Sequence, residues 1–556
     1  MQALRLLSIL LTCGALWSVC FVGGPALAQS FDPVWADGYG DTADQHVMGV
    51  AIDYLGATVI TGHFEGNIDF GGGALYNAGG RDIFVARFAA DGTHLWSHSY
   101  GSTGDQIAMD VTVDNQANVY VVGHYQNSVD FGGGPLTSVG DSDAFLVKLN
   151  AGGTHNWSHS FGDVDNQVAR AVAADNSGKV YVTGYFKETI DFGGGPLTSA
   201  GGFDVFLVQF TRGTGTHMWS NRFGDASTQI GVGIAKHDLG FVAITGQAAG
   251  TIDFGGGPLT SAGGSDVFVA EFDTFNHHLW SDLYGDATDL QEGIEIAIDP
   301  HYRDIVVTGR FFGTLNFGGG PLVSMGDFDT FLVKFDDTGS HLWSRRYGGT
   351  QGTLPGGMHV RPFGAVALTG YFEGSAQFGG NVLTSAGGRD AYVALYDAEG
   401  FHTLSQRYGD AANQAGEDIV FDDSGEIIVT GDFRGSIDFG DGPLTSAGVY
   451  DVFLTKLGMP DSRIGEATAG IVPLLNLAPL QVNQRTTLCY SLPRAGWVRL
   501  SLHDIEGRQV EMILDRYVDA GSHSLNWSSN DAVSGVRYIL MNVDGFRRVG
   551  KTVFVE

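Results

Sequence analysis

One phenylalanine recurs seven times in near-identical surroundings. It stands at Phe70, Phe131, Phe192, Phe254, Phe317, Phe378 and Phe439, within copies of the stretch Ile190–Gly202, IDFGGGPLTSAGG. The steps between copies are 61 to 63 residues. A repeat of fixed period constrains the fold before any single residue does. Each copy is one supersecondary unit that buries its apolar surface only against its neighbours.

Each period divides into four short strands separated by turn signals. In the third they fall near Ala169–Ala174, Lys179–Phe186, Asp204–Phe210 and His217–Arg222. The run Val205-Phe206-Leu207-Val208 is apolar on both faces, so that strand needs cover on both sides. Sheets packed face to face around a ring supply it. The expected fold is therefore all-β, a seven-bladed β-propeller of four-stranded blades. The seventh period stops after its third strand, while Trp35 lies 61 residues before Trp96, in register. The N-terminal strand is expected to complete the last blade.

Glycines mark the turns. Four residues before each tryptophan position stands Gly92, Gly153, Gly215, Asn276, Gly339 or Gly400, a pattern expected where φ is positive. Glycine also recurs late in the second strand, for example at Gly62, Gly123 and Gly309, where a backbone or an aromatic ring must lie close. Asp82, Asp143, Asp204, Asp266, Asp329, Asp390 and Asp451 open the third strand and are expected to accept backbone N–H bonds.

Motifs such as Val182-Thr183-Gly184-Tyr185-Phe186 and Asp266-Val267-Phe268-Val269-Ala270 resemble the SBBP-type propeller repeat of secreted bacterial proteins, over roughly Phe31–Leu457. The resemblance implies fold rather than activity. The Gly339-x-x-x-Trp343 spacing is similar to the tryptophan-docking repeat of quinoprotein propellers. It is weakly similar to the sialidase Asp-box, but one residue too long.

The ends read differently. Residues 1–28 carry Arg5, an apolar run from Leu6 to Val22 and the small-x-small signal Ala26-Leu27-Ala28, and are expected to be a cleaved secretory signal peptide. The propeller is expected over 29–458 and a linker over 459–481. From 482 to 556 the alternation of Val498, Leu500 and Leu502 with Arg499 and Ser501 predicts a small Ig-like β-sandwich. Ser491-Leu492-Pro493, Asp504-Ile505-Glu506-Gly507-Arg508 and Ser534-Gly535-Val536 resemble the FlgD-type Ig module and the C-terminal sorting domains of type IX secretion. The resemblance implies export and surface attachment. The Pro-Asn-Pro opening usual in that family is replaced by Leu475-Asn476-Leu477-Ala478-Pro479.

With 62 acidic against 30 basic residues and a formal charge of −32, the chain is a poor partner for nucleic acid or anionic membranes. Calcium is the cofactor this acidity permits. Past the signal, Cys489 is the only cysteine, which excludes an intrachain disulfide, and no later apolar run is long enough to cross a bilayer. The expected product is a monomeric propeller, secreted or held at the cell surface.

Two sets of loops share one face. The loop from the fourth strand to the next first strand carries Asp41, Asp163, Asp225, Asp286 and Asp410, usually with a glutamine four or five residues on. The loop from the second to the third strand carries Asp69, Asp130, Asp191, Asp253 and Asp438, replaced by Asn316 and Gln377 in two copies. The first set, with Asn316 and Gln377, are the candidate ligand contacts. The second set are the candidate calcium ligands, since carboxylates supply charge and oxygen, although structural hydrogen bonds would tolerate the same replacements. His94, His155, His217, His278, His341 and His402 recur two residues before the tryptophan position. They sit on separate outer strands, too far apart for one metal. No G-x-S-x-G, H-E-x-x-H or complete Walker motif occurs, and no catalytic residue is assigned. The expected function is a non-enzymatic binding or structural module for a glycan, an envelope component or a protein. The alternative is an extracellular propeller enzyme acting on polysaccharide or sialoside-like substrates.

Overall fold

The computed structural model describes residues 30–459 except 288 and 289. Beyond them it describes 474–476, 481–482, 486–492, 496–504, 508–518, 521–527, 535–543 and 546–554. The expected signal peptide lies outside the described residues.

Seven antiparallel sheets follow one another along the chain, each built on four long strands. Sheet three is typical, with strands Gln167–Ala174, Lys179–Phe186, Asp204–Thr211 and His217–Phe223 hydrogen-bonded in that order. These lie within two residues of the expected spans. The first strands of the sheets are Gln45–Ile52, Gln106–Val113, Gln167–Ala174, Gln229–Lys236, Gln291–Ile298, Thr353–Val360 and Gln414–Phe421. The third strands are buried nearly end to end, as a run apolar on both faces requires.

Burial is shared between sheets. Tyr120, Val122 and Leu146 of sheet two pack with Val172, Val180 and Phe206 of sheet three. Val420, Ile428 and Leu454 of sheet seven pack in the same way with Val50, Ile60 and Phe84 of sheet one. The fourth strand of sheet seven is Asp32–Tyr39, which pairs antiparallel with Asp451–Gly458.

The recurrent side chains interlock successive sheets. An added Cβ on Gly92, Gly153, Gly215, Gly339 or Gly400 would strike Trp35, Trp96, Trp157, Trp280 or Trp343 of the preceding sheet. Trp96 Nε1 and Trp343 Nε1 each donate to a carbonyl in that same turn at 3.0 Å. Trp343 is buried and the others are partly exposed. The turn residues have the expected positive φ, including Asn276 at 69°.

Every first strand carries a β-bulge against the second, such as the shifts at Ala108/Asp110 and Gly416/Asp418. A bulge re-aims the side chains around it, and here it repeats at one level in all seven sheets. Among the described residues no helix is long and apolar enough to cross a membrane.

In the C-terminal part, a three-stranded sheet and a five-stranded sheet share one apolar cluster that includes Leu488, Leu500, Trp527 and Ile539. Leu474–Asn476, within the stretch read as linker, pairs with Thr486–Leu492.

Candidate functional site

The loop aspartates are tightly engaged. Asp41 Oδ1 accepts from Ala43 N at 2.8 Å and from Gln45 Nε2 at 2.9 Å, and its Oδ2 accepts from Asn67 N at 2.8 Å. Asp163, Asp225 and Asp410 repeat all three bonds. Asp286 accepts from Gln291 Nε2 and Thr314 N. Each carboxylate thus clamps the loop entering a sheet to the hairpin that follows its second strand.

Asp69, Asp130, Asp191, Asp253 and Asp438 each accept through Oδ1 from the backbone N–H two and four residues on, at 2.7–3.2 Å. Asn316 makes the same pair of bonds. Gln377 does not. Its Nε2 donates to Gly380 O, and its hairpin strand Ser375–Gln377 joins sheet five by pairing Gln377 with Gly348. These side chains sit one to a sheet. Among the described residues no group of three or more His, Cys, Asp or Glu side chains is placed to hold one metal ion.

The six recurrent histidines explain the glycines beside them. A Cβ on Gly72, Gly133, Gly194, Gly256, Gly319 or Gly380 would fall 2.2–2.4 Å from the ring of the histidine in its own sheet. Each ring also pairs through Nε2 with a serine three residues on, at 2.9–3.1 Å. In the seventh copy Pro33 stands in the histidine's register, and the middle glycine is Asp441. The glycine is lost in the one copy that lacks the ring. The aspartates that open the third strands accept an N–H from four residues upstream in all seven sheets, as expected.

A band of residues missed by sequence reasoning follows the second-strand glycine. It comprises His63, His124, Tyr185, Gln247, Arg310, Tyr371 and Asp432, polar in every copy yet largely different from one copy to the next. Several meet the equally variable residue that precedes the third strand. Tyr185 meets Phe203 edge-on at 5.1 Å, Ser265 Oγ donates to Gln247 Oε1 at 3.1 Å, Arg310 lies over Phe328, and Arg389 lies 4.5 Å over Tyr371. Between sheets seven and one, Asp432 accepts from His46 Nδ1 at 2.5 Å and from Val47 N at 3.0 Å. That carboxylate holds the His46 imidazole above its ordinary range despite burial. The signal for this band was available in the sequence as one repeat position that stays polar while its identity changes.

Below the band lies a cavity of about 390 Å³, lined by residues from all seven first strands. It runs from the bulges to the turns after the first strands, at Lys236, His237 and Pro300. It therefore extends away from the loop face. Three non-repeating carboxylates line it at the bulges, Asp110, Glu295 and Asp418, and a fourth, Glu417, is the bulged residue of sheet seven itself. Asp110 accepts from Val172 N of sheet three and from Val111 N, each at 2.7 Å. Asp418 accepts from Val50 N of sheet one and from Ile419 N, each at 2.7 Å. Glu295 accepts from Ile296 N at 3.1 Å and from nothing else among the described residues. Burial raises all three, Asp110 to about 8 and Asp418 to about 7, and mutual repulsion raises Glu295 and Asp110 further.

A carboxyl whose folded-state pKa is raised contributes stability at acid pH that is lost as pH climbs through that pKa. Wild type should therefore gain thermal stability relative to the Asp110→Asn/Asp418→Asn double variant on going from pH 9 to pH 5. A difference in melting temperature that is constant across this range would contradict the assignment.

The repeated four-stranded antiparallel sheets define a β-propeller-like, all-β module. No family profile matches the chain. It is similar to an uncharacterized WD repeat-containing protein of Acanthamoeba polyphaga mimivirus, 22% identical over 428 residues, covering 65% of this chain and 27% of that protein. It is also similar to the regulatory protein FlaEY of Caulobacter vibrioides, 26% identical over 188 residues, covering 32% of this chain and 19% of that protein. The chain thus spans about a quarter or less of these relatives' lengths. Among solved structures, the quinohemoprotein alcohol dehydrogenase ADHIIG of Pseudomonas putida aligns over 82% of this chain and 79% of its own, at 12% identity and a TM-score of 0.37.

Proposed function

We propose that the chain forms a closed seven-bladed β-propeller that binds a glycan of the extracellular or envelope environment on its loop face, with an Ig-like C-terminal unit for export or attachment. Closure is supported by the seating of Trp35 on Gly92, by the bond from Val50 N to Asp418, and by a cavity shared among all seven first strands. The observation that carries the binding reading is the division between fixed and variable positions. Clamps, glycines and tryptophans recur from sheet to sheet, while the polar band after the second-strand glycine does not. A rigid repeated scaffold with variable polar and aromatic residues at one level is how repeat folds build recognition surfaces. Tyrosine beside arginine supplies a flat apolar face with donors at its edge, the combination enriched at binding hot spots.

The test is a screen of the mature protein against glycans and envelope fractions, with calcium present and then chelated. Binding is expected, and Tyr371→Ala combined with Arg389→Ala should weaken it at least tenfold. No binding to any fraction would overturn the reading. Loss on chelation would show that calcium takes part in binding.

A second reading, an enzyme acting on polysaccharide or sialoside-like substrates, is favoured by one observation. Asp110, Glu295 and Asp418 are buried carboxyls raised toward or above neutrality, and such groups serve as proton donors at neutral pH. Turnover of a bound glycan that disappears in Glu295→Gln, with binding retained, would establish it.

A further inference from the structure

The side chains around the axis are not equally satisfied. His46, Asp432, Arg310, Asp110 and Asp418 all have close partners. On three successive sheets, a buried side-chain nitrogen has no hydrogen-bond partner among the described residues. His63 of sheet one is 8% exposed, and its buried Nδ1 has no hydrogen-bond partner. His124 of sheet two has an equally buried, unpartnered Nδ1. Arg170, the bulged residue of sheet three, is half-buried with its Nε unpartnered, and it forms no ion pair among the described residues.

His63 and His124 hold the same position on the second strands of sheets one and two, directly after the recurrent glycine, and the second strand of sheet two packs against the first strand of sheet three, which carries Arg170. Arg170 precedes Val172, whose N–H reaches Asp110, along a strand that runs away from the loop face. The group therefore sits between the loop face and the level of the axial carboxylates. Burial keeps both imidazoles neutral, with His63 lowered to about 3 and His124 to about 4. Each can then present either a donor or an acceptor.

We propose that Arg170, with His63 and His124, receives an anionic substituent of the bound glycan, so that the ligand is an acidic polysaccharide rather than a neutral one. This rests on the variable band being a glycan-recognition surface. A guanidinium in a partly dry site without a fixed counter-ion is matched by a planar oxyanion, which accepts from its fork of N–H groups. The two neutral imidazoles can bond the same group without adding repulsion. The acidity of the surface does not forbid this, because exposed charges beyond a Debye length of about 8 Å are largely screened at physiological ionic strength, and burial holds the nearby Asp110 carboxyl up to about 8, largely uncharged at neutral pH.

The experiment is calorimetric titration of the full mature chain with paired probes. One set is oligogalacturonate, alginate and hyaluronan fragments, each matched to its methyl-esterified or carboxyl-reduced form. A sulfated oligosaccharide distinguishes sulfate from carboxylate. At least one anionic member should bind tenfold or more tightly than its neutral partner. Arg170→Gln should erase that preference, and Arg170→Lys should restore part of it. Equal affinity for charged and neutral partners would overturn this inference and leave glycan binding intact, as would binding confined to neutral glycans. Failure of every glycan to bind would overturn both. If Arg170→Gln does not fold, the comparison of esterified with free acid on wild type still decides the matter.

Discussion

Removing residues 31–40 should abolish the cooperative unfolding transition or lower its midpoint by more than about 10 °C, which for a domain this large, at about 2 °C or less per kcal/mol, corresponds to a loss of at least about 5 kcal/mol. The strand Asp32–Tyr39 is the fourth strand of sheet seven, paired along its length with Asp451–Gly458. Phe31 is 2% exposed within the cluster formed by sheets six and seven, and its N–H donates to Gln406 Oε1 at 3.0 Å. Trp35 seats on the turn of sheet one at Gly92, and Pro33 lies against Gly440. Deletion would uncover an edge of sheet seven and unseat sheet one together. Scanning calorimetry of the shortened chain is the measurement. An unchanged melt would mean that the strand is an accessory to the fold and not part of it.

Gly309→Val should cost more than about 3 kcal/mol, in the range reserved for clashes that the backbone must absorb. A Cβ there would lie 2.0 Å from Glu292 O and 2.7 Å from the Phe331 ring. The carbonyl belongs to the adjacent strand, so no rotamer change relieves the contact. Urea unfolding of the variant checks this. A loss below about 1 kcal/mol would show that the neighbouring strand can move aside. Gly257, where a Cβ would meet nothing within 4 Å, is not a matching control, because its φ of +111° strains any side chain whatever the space.

Most of the architecture was legible because the repeat multiplies every signal by seven. Strand spans in sheet three differ from expectation by two residues at most, and Asn276 among the turn glycines correctly marked positive φ. The roles of loop residues were harder to read, since a recurrent aspartate looks alike whether it holds a backbone or a ligand. Asp41 and its counterparts spend both oxygens on hydrogen bonds within the protein, a fact that depends on a hairpin some 26 residues away. The middle glycine of DFGGG is covered by a histidine from the fourth strand, a contact between distant positions that no local pattern shows. The axial carboxylates were illegible for a different reason. Asp110, Glu295 and Asp418 occupy one level only because the same bulge shifts every first strand, and no local pattern announces a bulge.

The pairing of the first described strand with the last strand of the repeat array has a consequence for how the molecule is made. Thr455 donates to the carbonyl of Trp35 across 420 residues of sequence. Asp32–Tyr39 therefore emerges before the rest of the repeat array, and its partner strand Asp451–Gly458 is made only at the end of that array. Contacts of such long separation fold slowly and leave strand edges open meanwhile. A strand in that position can be donated to a neighbouring copy as readily as to its own chain. Concentrated refolding should therefore yield dimers exchanging this one strand, while dilute refolding yields the monomer.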